Sequence, residues 1–314
     1  MGTATFGVSP AEDDTRRVVD FALDQGINFI DTANSYGNQP RFDRRGAPPA
    51  EERASAEELV GRAIAGKRDQ VVLATKVSEP IGPGPNDGSF AGGGLSRAHI
   101  TRLVERSLRR LDTDYIDIYY AHHPDPDTDV ADTIGTFEDL IRAGKICYYA
   151  LSTYSGWQLT EAVLTADRLG ARRPVCHQVL YSLAKRGVEA EVMPAGRSLG
   201  VSTTAFSPLA GGLLAGGAGV RAVAGQARWG GRGFTAEELA FAARFEELAE
   251  QWEIAPPALA VAWLLSRDGL ASAIVGPESA DELVPLLGAV AVRLDPEQLK
   301  ALDALVPAPR GPWD

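Results

Sequence analysis

The segment "TATFGVSPAEDD" (3–14) decides between two parallel-sheet architectures. A short β-rich run, 3–6, passes through one glycine into a proline and an acidic helix start. A doubly wound nucleotide-binding sheet would carry G-x-G-x-x-G directly after its first strand. No such fingerprint follows here, so the other way of burying a parallel sheet, a closed barrel, is favoured.

The rest of the chain repeats the same alternation. Strand candidates are "TATF" (3–6), "NFID" (28–31), "VVLAT" (71–75), "YIDIYYA" (115–121), "ICYYALS" (146–152), "VCHQV" (175–179), "VSTTAFS" (201–207) and "SAIVG" (272–276). Between them the apolar period changes to 3.6. Ile100, Leu103, Val104, Ser107, Leu108 and Leu111 share one helical face, as do Leu59, Val60, Ala63 and Ile64. Ser55-Ala-Glu-Glu58, Thr235-Ala-Glu-Glu238 and Ser279-Ala-Asp-Glu282 are capping-box helix starts. Strands alternating with helices of this length make βαβ units and a parallel sheet. Eight units in 314 residues predict an α/β fold, a (β/α)8 barrel, as one domain over 1–314.

Composition narrows the function. The chain is 45% hydrophobic and 23% charged, with a net charge of −11 and acids and bases interspersed. That speaks against a nucleic-acid footprint and for a small-molecule substrate. No apolar run reaches the length of a membrane span, and "MGTATFG" lacks the basic and apolar regions of a signal peptide. Cys147 and Cys176, far apart in apolar segments, read as reduced core thiols, consistent with the cytoplasm. Ala-, Gly- and Arg-rich usage points to a bacterial source.

Barrel sites are built where strands end. Asp31, Tyr36, Lys76 and His122 stand at or just after three successive strand ends. Alone, each has an ordinary reading: a turn cap, a packed loop aromatic, a solvated lysine. Together they form a relay. A lysine cation favours the phenolate and pulls a tyrosine pKa down, an aspartate keeps that lysine charged, and a neutral imidazole orients a carbonyl oxygen. Three segments on this face read as loops: 37–53, 79–94 and 211–233.

"GINFIDTANSYG", "VVLATKV", "SLRRLDTDYIDIYYAHHPDPDT", "AGKICYYALSTYSGWQL", "FSPLAGGLL" and "ALAVAWLLSRDGLASAIVG" are similar, in order and over nearly the whole chain, to the aldo-keto reductase superfamily. The resemblance implies a TIM barrel and reduction of an aldehyde or ketone to an alcohol with NADPH or NADH. Asp31, Tyr36, Lys76 and His122 match its Asp-Tyr-Lys-His tetrad, with Tyr36 as general acid. It implies cofactor contacts from Thr3, Ser152, Thr153, Gln178 and Tyr181, the last stacked under the nicotinamide. It also implies that Ser207, Pro208, Leu209 and Gly211 line the pyrophosphate, and that Gly276, Glu278 and Glu282 lie at the adenine end. His123, Trp157 and Trp229 are candidates for the substrate pocket.

Departures from the family's pattern matter. Threonine stands at 153 where asparagine is usual. Glu278 stands where an arginine often holds the 2′-phosphate, Glu282 replaces a glutamine and Leu286 an asparagine. A carboxylate repels that phosphate, which favours NADH, unless Arg221, Arg228 or Arg232 substitutes. The usual N-terminal β-hairpin, which plugs the barrel's lower end, is not seen, and an unplugged end is a candidate homo-oligomer contact.

Two further motifs have simpler readings. "GRAIAGKR" (61–68) resembles a P-loop, but it ends in Arg68, follows a helix, and its Gly66 suits a helix end. In "HHPDPD" (122–127) adjacent histidines of a strand point to opposite faces, so no metal site is expected, and Asp125 and Asp127 read as caps for the next helix. His99 reads as a surface residue and His177 as a strand residue without a role. Tyr119, Tyr120, Tyr148 and Tyr149 read mostly as core. Two other classes stay open: a redox-sensing, partner-binding protein of slow turnover, and a non-redox lyase or dehydratase with a weakened cofactor site.

Overall fold

The computed structural model describes residues 1–44, 46–80, 94–217, 233–306 and 309. Among them, seven parallel strands pair in sequence order: β1 (Phe29–Asp31), β2 (Val72–Val77), β3 (Ile116–Ala121), β4 (Ile146–Ser152), β5 (Cys176–Leu180), β6 (Ser202–Phe206) and β7 (Leu270–Ile274). Seven of the eight expected strands are therefore present within one or two residues. "TATF" is not a strand. The edges of β7 and β1 are joined instead by residues 1–3, where Gly2 donates to the Val275 carbonyl at 2.6 Å and Asp31 to that of Met1 at 2.8 Å. Thr3 then donates back to the Asp31 carbonyl at 3.0 Å. Once that pairing is made the chain turns, with Phe6 N–H on Thr3 and Val8 N–H on Thr5. The barrel thus closes through a three-residue bridge rather than a full strand.

Ten α-helices surround the barrel among the described residues: α1 (Glu12–Asp24), α2 (Ala56–Ala63), α3 (Arg97–Leu111), α4 (Val130–Arg142), α5 (Gly156–Leu169), α6 (Val192–Leu199), α7 (Ala236–Gln251), α8 (Pro256–Leu265), α9 (Ala280–Leu287) and α10 (Pro296–Leu305). The predicted faces of α2 and α3 are the buried ones. Reciprocal capping boxes start α2 and α7. At α9, Ser279 caps the Glu282 N–H, but Glu282 reaches back to Glu278 N–H. Asp129, not Asp125 or Asp127, caps α4. Asp125 instead accepts from Leu95 N–H at 2.8 Å and from the Thr128 hydroxyl at 2.6 Å, shaping the loop after β3. Gly61, in the P-loop-like stretch, lies where α2 crosses α3: a Cβ there would meet the Arg110 and Leu111 backbone at 2.8 Å.

Side chains alternate between the two faces of each strand. One set points inward. Its lower members, Phe29, Val72, Ala74, Ile118, Tyr120, Ala150 and Cys176, form an apolar cluster inside the barrel. The other set packs outward under the helices. Residues such as Ile30, Leu73, Tyr119, Tyr149 and Leu151 join α1 to α5, and Val179, Tyr181 and Ala205 join α7 and α8. Near the barrel's lower end Tyr148 departs from the expected core aromatics, being 53% exposed, and Cys147 is exposed whereas Cys176 is buried. No helix among the described residues is long and apolar enough to cross a membrane.

His99, expected at the surface, is buried, whereas His177 is the strand residue expected, also buried. His177, on the outward face of β5, accepts from Tyr154 N–H at 3.1 Å through Nε2. Burial lowers its pKa to about 4. An unfolded histidine takes its proton near pH 6.5, so acid favours the unfolded chain. Stability from this group is complete above about pH 6.5 and is lost as pH falls toward 4, by about 3 kcal/mol. His177→Gln, which keeps an acceptor for Tyr154, should flatten the unfolding free energy between those pH values by about that amount in denaturant titrations. Parallel wild-type and variant curves would contradict this.

Candidate active site

Above the apolar interior cluster, the inward row turns polar. Asp31 ends β1, Lys76 lies one residue before the end of β2, and His122 follows β3 directly. Tyr36 lies in the turn after β1, and its placement depends on Gly37. That glycine has φ +84°, and a Cβ on it would meet the Phe6 carbonyl at 2.6 Å and Ala56 N at 2.8 Å. Tyr36 accepts from Ala56 N–H at 3.0 Å, which ties the turn to the start of α2. The buried Arg53 guanidinium holds the rest of this loop through the carbonyls of Gly37, Pro48 and Gln39.

The four side chains meet. The fully buried Lys76 ammonium donates to the Asp31 carboxylate, to the Thr32 carbonyl at 2.8 Å and to the Tyr36 hydroxyl at 3.4 Å. The second Asp31 oxygen accepts from the Gln178 amide at 2.8 Å. The Tyr36 hydroxyl lies 3.5 Å from His122 Nε2, with the rings edge to face.

Electrostatics assign the protonation states. Burial alone would lower the Lys76 pKa, but the charges and hydrogen bonds of Asp31 and Tyr36 outweigh it and raise the pKa, so the ammonium stays charged. Burial raises the Tyr36 pKa and the neighbouring Lys76 opposes it; burial wins. This corrects the expectation that lysine sets the balance: Tyr36 sits above its ordinary value and keeps its proton at neutral pH. Burial, then the charges of Lys76, His123 and Arg41, hold His122 well below its usual range, hence neutral. A protonated phenol, a neutral imidazole and a buried cation around one point can protonate an oxygen that is gaining negative charge.

The residues expected at the cofactor divide into two groups. Ser152 and Gln178 are inward-facing register partners on β4 and β5. After β6, Ser207, Ala210, Gly211 and Gly212 all take positive φ while Leu209 keeps φ −95°. Ala210 N–H is bonded to the Ser207 carbonyl and Gly212 N–H to that of Leu209, while glycines at 211 and 212 let a phosphate approach the backbone closely. With Gln178 inward and a strand period of two, Tyr181 must face outward. It is fully buried, its ring 5.6 Å from Trp263 and its hydroxyl donating to Glu189 at 2.6 Å. The inward residues at this height are Leu180, 43% exposed, and its register partner Phe206, half-buried. They supply the apolar wall that Tyr181 cannot. Together with the Gln178 amide and the glycine turn after β6, they fit a flat ring at one end and a pyrophosphate at the other.

Other expected contacts are engaged within the chain. Thr3 is buried, with its hydroxyl on the Asp31 carbonyl at 3.0 Å. Thr153 adopts φ +62°, an outlier for a β-branched residue, and its hydroxyl lies between the His122 carbonyl at 3.3 Å and His123 Nδ1 at 3.0 Å. Glu278 pairs with Arg44 at 2.9 Å, linking the loop after β7 to the loop after β1. Pro208 is buried and Gly276 exposed, while Glu282 occupies its cap position. Trp157 is 62% exposed on the first turn of α5. Trp229, Arg221, Arg228 and Arg232 lie outside the described residues, as do 81–93 and 218–232 of the expected loops. Sequence reading missed Leu180, Phe206, Glu79 and Arg44. The phase of β5 and β6 signals the first two; no local pattern signals the others.

A parallel barrel with a buried Asp–Lys–Tyr–His cluster at its upper mouth defines a class of enzyme, and comparison with known proteins agrees. The aldo/keto reductase family model matches residues 1–307. The uncharacterized oxidoreductase YrpG of Bacillus subtilis (strain 168) is 37% identical, over 99% of this chain and 92% of that protein. A probable voltage-gated potassium channel subunit beta of Arabidopsis thaliana is 31% identical, over 92% of this chain and 85% of its own. The L-glyceraldehyde 3-phosphate reductase of Escherichia coli (strain K12) is 30% identical, over 88% and 79%. The chain belongs to the aldo/keto reductase family, a family of oxidoreductases that work with nicotinamide cofactors.

The Asp31–Lys76 pair gives a stability test. Asp31→Asn keeps the size but leaves a buried ammonium without its counter-charge, and should lower the unfolding free energy by about 3–5 kcal/mol. Adding Lys76→Met should restore at least half of the loss in urea titrations, because the unpaired charge is then gone. Further destabilisation by the second change would show that the pair is not the source.

Proposed function

We propose that this protein is a nicotinamide-dependent carbonyl reductase in which Tyr36 is the proton donor. The observation that carries this reading is the placement of the Tyr36 hydroxyl, 3.4 Å from the Lys76 ammonium and 3.5 Å from His122 Nε2. When bound, the nicotinamide supplies a hydride to the carbonyl carbon. Everything else falls to the chain's own groups. His122, neutral, donates through Nε2–H to the carbonyl oxygen and orients it beside the phenol. Tyr36 passes its proton to that oxygen as it becomes an alkoxide. Lys76 stabilises the phenolate left behind, and Asp31 holds Lys76 in place. Gln178 and Ser152 bind the carboxamide end, with Leu180 and Phe206 against the ring. The glycine turn at 207–212 takes the pyrophosphate. Tyr36→Phe should lower kcat by at least about 100-fold, as expected for loss of a general acid, while the affinity for the reduced cofactor stays within a factor of about two. Undiminished turnover in that variant would remove Tyr36 from the mechanism.

The Arg44–Glu278 pair supports a preference for NADH. A 2′-phosphate arriving here meets a carboxylate, and the neighbouring guanidinium is already engaged at 2.9 Å. Fluorescence titration should give tighter binding of NADH than of NADPH. Glu278→Gln, by freeing Arg44 for a phosphate, should strengthen NADPH binding while leaving NADH nearly unchanged. Tighter NADPH binding in the wild type would overturn this preference.

A further inference from the structure

His122 lacks the hydrogen bond that commonly fixes a working histidine. The ring nitrogen away from the reaction is ordinarily bonded to a carbonyl or carboxylate, which sets the tautomer and the orientation of the ring. Here that nitrogen, Nδ1, is buried with no hydrogen-bond partner among the described residues. Glu79 Oε1 lies 4.0 Å away, beyond hydrogen-bonding range. Packing holds the ring instead. Tyr36 meets it edge to face, with centroids 5.8 Å apart, and His123 stacks on it at 4.4 Å with the planes 11° from parallel. The adjacent histidines do not point to opposite faces, as strand residues would, because β3 ends at Ala121.

His123 is itself held at both nitrogens. Its Nδ1 meets the Thr153 hydroxyl at 3.0 Å, and its Nε2 meets Glu79 Oε1 at 3.0 Å. An ionised carboxylate only accepts, so the proton between them belongs to His123 Nε2. Glu79 follows β2 by two residues, and the Asn34 side-chain amide reaches its backbone carbonyl at 3.4 Å. The His123 hydrogen bond outweighs burial and, with the charge of Arg41, holds the Glu79 carboxyl below its ordinary range, so it is ionised. Arg41, 3.8 Å from the same oxygen, is too distant to donate to it.

Two proton arrangements are open to His122. With the proton on Nε2, that nitrogen donates toward Tyr36, 3.5 Å away. Tyr36, which also accepts from Lys76, then keeps its own proton for a ligand in the mouth. With the proton on Nδ1, the Nε2 lone pair takes the Tyr36 proton, and neither group can donate to a carbonyl oxygen. A free carboxylate beside Nδ1 favours this second form, and Glu79 has only about 1 Å to travel to accept from it. We propose that His123 is a positioning residue that keeps His122 in its Nε2–H form by occupying the Glu79 carboxylate. Its effect on turnover rests on the carbonyl-reductase reading; its effect on the tautomer does not.

The test replaces His123 with phenylalanine, which keeps a ring for stacking but removes the donor to Glu79. The chain has four histidines, so NMR of isotope-labelled histidine in the full chain can be assigned by substitution. We expect His122 to be in the Nε2–H form in the wild type and to shift to the Nδ1–H form in His123→Phe. There kcat should fall by about tenfold, in proportion to the fraction of competent tautomer left. Adding Glu79→Gln, whose amide can donate to Nδ1, should restore the Nε2–H form and bring kcat to within about threefold of wild type. Lost packing alone predicts no such rescue. An Nδ1–H tautomer in the wild type, an unchanged tautomer in the folded His123→Phe protein, or a double variant slower than the single one would overturn the assignment. His123→Leu, which also lacks the donor, makes the same comparison if the phenylalanine variant does not fold. A wild type without reductase turnover would remove the functional reading, while the tautomer shift still decides the role of His123.

Discussion

The buried ion pair between Lys76 and Asp31 is the constraint around which this barrel is arranged. Taking an ammonium and a carboxylate out of water costs several kcal/mol each, and only close geometry with every remaining hydrogen-bonding site filled offsets it. Here Lys76 is satisfied by Asp31, the Thr32 carbonyl and Tyr36, and Asp31 by Lys76 and Gln178. The partners come from β1, the turn after it, β2 and β5, so the pair fixes strands on different sides of the barrel relative to one another. Its residual field also sets the ionisation of its neighbours: it opposes the rise in the Tyr36 pKa and helps keep His122 neutral. A structural tie and a chemical arrangement are therefore one feature.

What was legible in the sequence is what short-range periodicity encodes. The seven strands, the buried faces of α2 and α3, two reciprocal capping boxes and the positions of Asp31, Tyr36, Lys76 and His122 at strand ends all follow from local pattern and the rule that barrel sites lie at those ends. The first strand was misread because four β-prone residues look alike whether they extend or turn; pairing by residues 1–3 left the rest free to turn. The resemblance put Tyr181 under the nicotinamide, whereas counting by two from Gln178 leads to Leu180, and register then leads to Phe206. The Arg44–Glu278 pair spans 234 positions and the His123–Glu79 contact 44. No spacing rule reaches across such separations, so only the closed barrel reveals them.

Departures from the family's residues acquire individual meanings in the structure. Threonine at 153 is not simply a weaker asparagine: its single hydroxyl orients one histidine and bonds the carbonyl of the other. Glu278 does not stand as a bare carboxylate; it anchors the loop after β1 through Arg44. Each substitution redirects a contact from an expected ligand toward another part of the chain, which makes the mouth of this barrel more self-connected than the sequence alone suggests.

The apolar cluster beneath the tetrad has an effect beyond filling space. Ala74, Ile118, Ala150 and the Tyr120–Cys176 pair leave little below Lys76 that can reorient in response to its charge. A low-polarisability floor cannot screen a charge above it, whereas the mouth can. What remains of the pair's field is therefore directed upward, toward the polar mouth. The barrel floor acts as an insulator that gives the field of the buried pair a direction.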